Sequence, residues 1–166
     1  MKYKKSLFLI LLCLFISYEA FSDVKALKGI ESIYVFIEPL SDDALDLGLT
    51  EERIRIITEL KLRKEGITIT DEESKFDVLL GVVISVVGRK GSGNGIGVFL
   101  KIKEEVSLIR NPSIICYAYT WNVGFISANV NKPEYVFTQL SNVLDDFLND
   151  YYKANPKKIE EWIMGV

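Results

Sequence analysis

The chain contains no histidine. That removes the commonest general base and the commonest metal ligand, and with them most catalytic triads and zinc sites. Two cysteines in 166 residues are too few for a disulfide scaffold, and 11 glycines too few for a collagen repeat. There is no basic excess either. The 20 Lys and Arg are outnumbered by 23 Asp and Glu and lie scattered, so the basic stripe that nucleic-acid binding demands is missing. What remains, 49% hydrophobic and 26% charged residues, is the composition of one ordinary globular domain and excludes a disordered chain.

The opening segment reads as a signal peptide over residues 1–22. Lys2, Lys4 and Lys5 precede an apolar stretch from Leu7 to Ile16, and the small residues Ala20 and Ser22 flank Phe21. About ten apolar residues partition into lipid but fall short of the roughly 20 that a stable transmembrane helix needs. Cleavage is expected after Ser22. A lipid anchor on Cys13 is disfavoured, because Leu12 stands where such sites need a small residue. Taking away three Lys and one Glu leaves 17 basic and 22 acidic residues, a mildly acidic chain whose one cysteine is Cys116. Its neighbours Ile114, Ile115, Tyr117 and Ala118 predict a buried, inert thiol.

The domain itself is expected over 23–156. Ile33-Tyr34-Val35-Phe36-Ile37 reads as a buried strand ending at Pro39. The acidic stretch Ser41–Gly48, with Glu38, has oxygen ligands but lacks the spacing of a calcium loop, so a solvated loop is predicted. Thr50 caps a helix from Glu51 to Glu65 with Ile54, Ile56, Ile57 and Leu60 as its stripe and Gly66 as its left-handed stop. Ile67–Thr70 is a short strand before the turn Asp71–Ser74. Phe76–Val87 is a central strand covered on both faces or nearly so. The glycine-rich stretch Gly88–Gly97, with Arg89 and Lys90, suits an anion only if it opens a helix, whereas a period-two strand follows it; a hairpin turned at Asn94-Gly95 is expected.

Val98, Leu100, Ile102, Val106 and Leu108 then alternate with Lys101, Lys103, Glu105 and Ser107, which leaves one face of the sheet wet. After the turn Arg110–Ser113, period two puts Ile115, Tyr117, Tyr119, Trp121 and Val123 on one face. This aromatic row belongs either to the core, the favoured reading, or to an exposed recognition strip on which Tyr117, Tyr119 and Trp121 bind a partner. Asn131-Lys132-Pro133 opens a long helix whose stripe is Val136, Phe137, Leu140, Val143, Leu144, Phe147, Leu148 and Tyr151. The tail 157–166, with Trp162, Ile163 and Met164, is expected as a short terminal helix folding back. The order β-α-β-β-β-β-α predicts an α+β two-layer sandwich, a mainly antiparallel sheet of about five strands with both helices on one face.

Several segments together, Gly48-Leu49-Thr50, Leu60–Arg63 with Gly66-Ile67, Leu108–Pro112, Trp121 with Gly124, and Phe147–Pro156, resemble a group of small exported bacterial proteins of unassigned function. Their plan is similar to the envelope sandwiches of the TolB amino-terminal domain and LptE, and the resemblance implies a location in the envelope without implying catalytic residues. Carboxylates without paired spacing and hydroxyls without a base form no active site, so no enzyme, cofactor or metal is expected. The sequence favours a non-enzymatic periplasmic or secreted module that binds an envelope protein or lipid component through a sheet edge or exposed sheet face. The alternative is a small-molecule or lipid carrier with an apolar cavity lined by the aromatics and the long helix. Intact-mass measurement on protein recovered from the producing bacterium is expected to show a mature chain beginning at Asp23; a chain that retains its first 22 residues refutes the leader.

Overall fold

The computed structural model describes residues 23–71, 76–88 and 93–156. The expected signal peptide, with Cys13, and the expected tail helix lie outside the described residues, as do 72–75 of the acidic turn and 89–92 of the glycine-rich stretch. A 3-10 turn, Val24–Leu27, precedes β1 (Ser32–Ile37), α1 (Asp42–Asp46), α2 (Glu51–Lys64), β2 (Thr68–Ile69), β3 (Val78–Val87), β4 (Asn94–Leu108), β5 (Asn111–Val130) and α3 (Pro133–Ala154). The five strands form one sheet in the order β2-β1-β3-β4-β5. The predicted α+β sandwich is what the chain adopts, with one refinement. β1 runs parallel to both β2 and β3, and only β3-β4-β5 is an antiparallel meander, because the chain leaves β1 through α1 and α2 and a helical crossover returns parallel.

Alternate residues of each strand supply the core. Ile33, Val35 and Ile37 of β1, Val78, Leu80, Val82, Ile84 and Val86 of β3, and Ile96, Val98, Leu100 and Ile102 of β4 are buried on the helix side. The opposite residues of β3 are only partly covered, and Val87 is exposed. The expectation of a strand covered on both faces therefore fails, since both long helices occupy one face. All eight stripe residues expected of α3 are buried. At about 1.5–3 kcal/mol for each large side chain, before chain entropy, this helix is a principal contributor to the core.

The α2 stripe is different from the one expected. Ile54, Thr58 and Leu62 face the core, Ile57 packs partly against it, and Ile56 and Leu60 are exposed. An i, i+4, i+8 line stays on one side of a 3.6-residue helix, and Thr58 is tolerated in it because its hydroxyl donates to the Ile54 carbonyl at 2.9 Å. The caps are as read: the Thr50 hydroxyl accepts from the Arg53 amide at 3.3 Å, and Gly66 has φ +74°. Asn94 and Gly95, by contrast, are not a turn. They lie inside β4, with Gly95 opposite Val87. Part of the acidic loop coils into α1, where the Asp43 carboxylate accepts the Gly88 amide at 2.8 Å.

Polar contacts fix how the layers meet. Asp77 Oδ2 accepts the amides of Glu31 at 2.7 Å and Ser32 at 2.8 Å, which sets the start of β1 against β3. Lys61 ties α2 to α3 through Asp145 Oδ2 at 2.7 Å and the Ser141 carbonyl at 2.9 Å. Asn155, past the end of α3, accepts from the Gly29 amide at 2.8 Å and donates to the Leu27 carbonyl at 2.9 Å. The Tyr152 hydroxyl donates to the Glu65 carbonyl at 2.8 Å and lies 3.2 Å from Glu65 Oε2. Burial and the Glu65 carboxylate push its pKa up to about 12.

A tyrosine whose folded pKa is raised stabilises the fold while it keeps its proton. That contribution is whole below the unfolded value near 10 and is lost as pH climbs to about 12. Tyr152→Phe is expected to be less stable than wild type at pH 8, and the difference in denaturant midpoint should shrink between pH 10 and 12. A gap that stays constant across that range contradicts the assignment.

Candidate functional site

The site follows from which face the helices leave bare. On β1, Tyr34, Phe36 and Glu38 alternate with the buried Ile33, Val35 and Ile37 and so point away from the helices. On β3 and β4 the corresponding positions are Leu79, Gly81, Lys101 and Lys103, with Leu79 opposite Lys103 and Gly81 opposite Lys101. Lys103 is in turn opposite Tyr119 of β5, and Glu105 opposite Tyr117.

The aromatic row of β5 does not run straight through. Ile102 pairs with Trp121 while its neighbour Lys103 pairs with Tyr119, so Thr120 is an extra residue on β5. Such a bulge breaks the two-residue alternation. Tyr117 and Tyr119 are 65% and 57% exposed on the open face, whereas Trp121 is 1% exposed in the core. There its ring meets Phe147 edge-on at 5.2 Å and its indole N–H donates to Asp150 at 3.4 Å. The row therefore divides: Trp121 lies in the core, as the favoured reading has it, while Tyr117 and Tyr119 lie exposed on the open face. The bulge residue also bears a cost, since Thr120 Oγ1 is buried without a hydrogen-bond partner.

Tyr34, Phe36, Phe76, Tyr117 and Tyr119 together with Leu79, Gly81, Glu38 and Lys103 line an open cleft of about 410 Å³. Tyr34 and Phe76 stack at 5.6 Å with their planes 26° apart, forming one wall. At the other, Lys103 Nζ lies 5.4 Å from the Tyr117 ring centroid and Lys101 Nζ 5.3 Å from that of Tyr119. The ammonium groups thus hold the tyrosine faces by cation–π attraction. Glycine at 81 leaves the floor without a side chain, and further along the face the Phe99 ring lies over Gly97, where an added Cβ would sit 2.7 Å from it.

Chemically the cleft offers aromatic faces, one carboxylate and one ammonium. It suits recognition of an apolar or aromatic group flanked by polar ones. No group of three metal-ligating side chains occurs among the described residues. The sequence reading names Tyr117 and Tyr119 but not Tyr34 and Phe36, because it takes the first strand as buried throughout; period two applied to Ser32–Ile37 separates them. Phe76 is taken into the central strand and Glu38 into the acidic loop, so neither is read with the cleft. Cys116 also departs from expectation. It is exposed, since the hairpin of β4 and β5 outruns both β3 and the helices at that point.

Neither a protein-family model nor a curated protein matches the chain, and the resemblance to the TolB amino-terminal domain and LptE finds no support there. Among solved structures, the chain is similar to a PelC dodecamer from Paraburkholderia phytofirmans, with TM-score 0.38, 16% identity, and coverage of 70% of this chain and 84% of that one. A minor lipoprotein from Acinetobacter baumannii aligns with TM-score 0.28 and 10% identity over 78% of this chain and 95% of that one. At these TM-scores neither likeness bears on function.

Trp121→Ala is expected to cost about 3–5 kcal/mol, as large aromatic truncations in a core do. Tyr119→Ala should change stability by less than about 1 kcal/mol, as exposed substitutions do. Urea unfolding of the two variants checks the split of the row; equal losses would place both rings in one environment.

Proposed function

We propose that this chain is an exported, non-enzymatic module that holds another component of the cell envelope, a protein or a lipid, against its open sheet face. The observation that carries the reading is the aromatic cleft. Five aromatic side chains converge on a face over which no helix of the described residues lies, whereas the other face carries the core. Exposed aromatics gathered in one concave place mark a surface meant to be covered. Export rests on the leader read in residues 1–22. Among the described residues no helix is long and apolar enough to cross a membrane.

The carrier alternative placed the α3 stripe around an apolar cavity. That stripe is packed into the core instead, so a ligand of this kind would sit in the cleft on the other side of the sheet.

Phe36→Ala and Tyr119→Ala remove one ring from each wall of the cleft. Cross-linking in the producing bacterium is expected to recover a defined component with the wild-type chain and at least tenfold less of it with the double variant. Ile56→Ala, on the exposed side of α2, should recover as much as wild type. Undiminished recovery by the double variant, with its fold intact by circular dichroism, rules the cleft out.

A further inference from the structure

The two edges of the sheet are unequal. At one, β2 is two residues long and covers only the start of β1, and where it stops the Arg55 guanidinium donates to the Val35 carbonyl at 2.7 Å. That edge is short and capped by a charge. At the other, β5 runs for 20 residues, pairs with β4 alone, and contains no Asp, Glu, Lys or Arg from Asn111 to Val130. Edge strands are ordinarily guarded by charges, by shortness or by a covering element. Among the described residues, the Ile115–Tyr119 stretch of β5 has none of these; its guards are the bulge, the proline at its start and the 3-10 turn and α3 packed against the strand.

Where β5 passes Tyr119 the sheet has narrowed to two strands. Leu79 opposite Lys103 is the last β3–β4 pair, so Glu104–Leu108 and the facing part of β5 project as a ribbon. A two-stranded ribbon is marginal by itself in water and needs a third strand or a packed face. Ile114, Ile115, Tyr117 and Tyr119 are all exposed on it.

We propose that the β5 edge of one copy pairs antiparallel with the β5 edge of a second copy across a two-fold axis at Tyr117. Charge and register argue for this occupant. An uncharged strand opposite itself brings no like charges together, as an isologous contact requires. The regular ladder of β5 on the ribbon is Ile115–Tyr119, bounded by the register break before Ile115 and by the bulge at Thr120. Tyr117 is the middle of that run. An axis there sets Tyr117 against Tyr117 and Ile115 against Tyr119 of the other copy, aromatic and β-branched pairs of the kind that stabilise strand pairing. Each ribbon then lies within four strands, and the two sheets join edge to edge. The pairing uses the outward backbone groups of β5, so it goes beyond the cleft reading and either can fail without the other.

Sedimentation of the purified chain under reducing conditions, at tens of micromolar, is expected to give twice the chain mass. A short bis-maleimide should join two copies through Cys116, one residue from the axis. Tyr117→Lys, and separately the double variant Ile115→Lys with Tyr119→Lys, put like charges opposite one another in the pairing and are expected to sediment at the mass of one chain with an unchanged far-ultraviolet spectrum. A wild-type monomer overturns the proposal. So does a dimer that persists in both folded variants, or one in which the Cys116 thiols are not joined.

Discussion

Eight side chains of α3 leave water against β4, the part of β5 around Trp121, the 3-10 turn and α2. That burial organises what surrounds it. Phe147 and Tyr151 of the helix hold Trp121 and the carbonyl of Ile30, and Asn155 at its end fastens the 3-10 turn that leads into β1. α2 then lies alongside, joined to α3 by Lys61. With both long helices committed to one side, no helix of the described residues covers the other, and the open face is a consequence of the same packing that makes the core.

Much of this was legible in the residues. The α3 stripe could be read to the residue because large apolar groups at helical spacing have no competing explanation, and the caps of α2 could be read because Thr50 and Gly66 do local chemistry that tertiary contacts did not override. The α2 stripe was harder. Ile54, Ile56, Ile57 and Leu60, spaced one to three apart, fit more than one line around a helix, and the line chosen runs through Thr58, whose polarity hid it. Register across the sheet was not legible at all. Period two presumes an unbroken ladder, and a single inserted residue at Thr120 carries no local signature, yet it decides which aromatics are core and which are surface. Cys116 was misjudged for a related reason: its apolar neighbours imply burial only if a helix reaches that far along the strand.

The two-sided character of the molecule explains why the sequence carries no functional motif. Catalysis and metal binding require particular atoms at fixed distances, and these leave patterns. Aromatic faces and backbone edges recognise through area and shape, and the residues that supply them are the same ones a core uses. Tyr34 and Phe36 read as strand formers because they are, and only their position opposite the buried Ile33, Val35 and Ile37 makes them a site.

The bulge at Thr120 decides which rings of β5 face the core and which the cleft. A straight β5 would place Tyr119 and Trp121 on one face, so either the indole would be exposed and the contact with Phe147 lost, or the tyrosines would be driven against the helix layer. Inserting one residue satisfies both demands and leaves a hydroxyl buried without a partner, a penalty of about 1–3 kcal/mol for a group of this kind. This chain retains the bulge, and with it the ability to anchor β5 in the core with one aromatic side chain while presenting two others to the cleft.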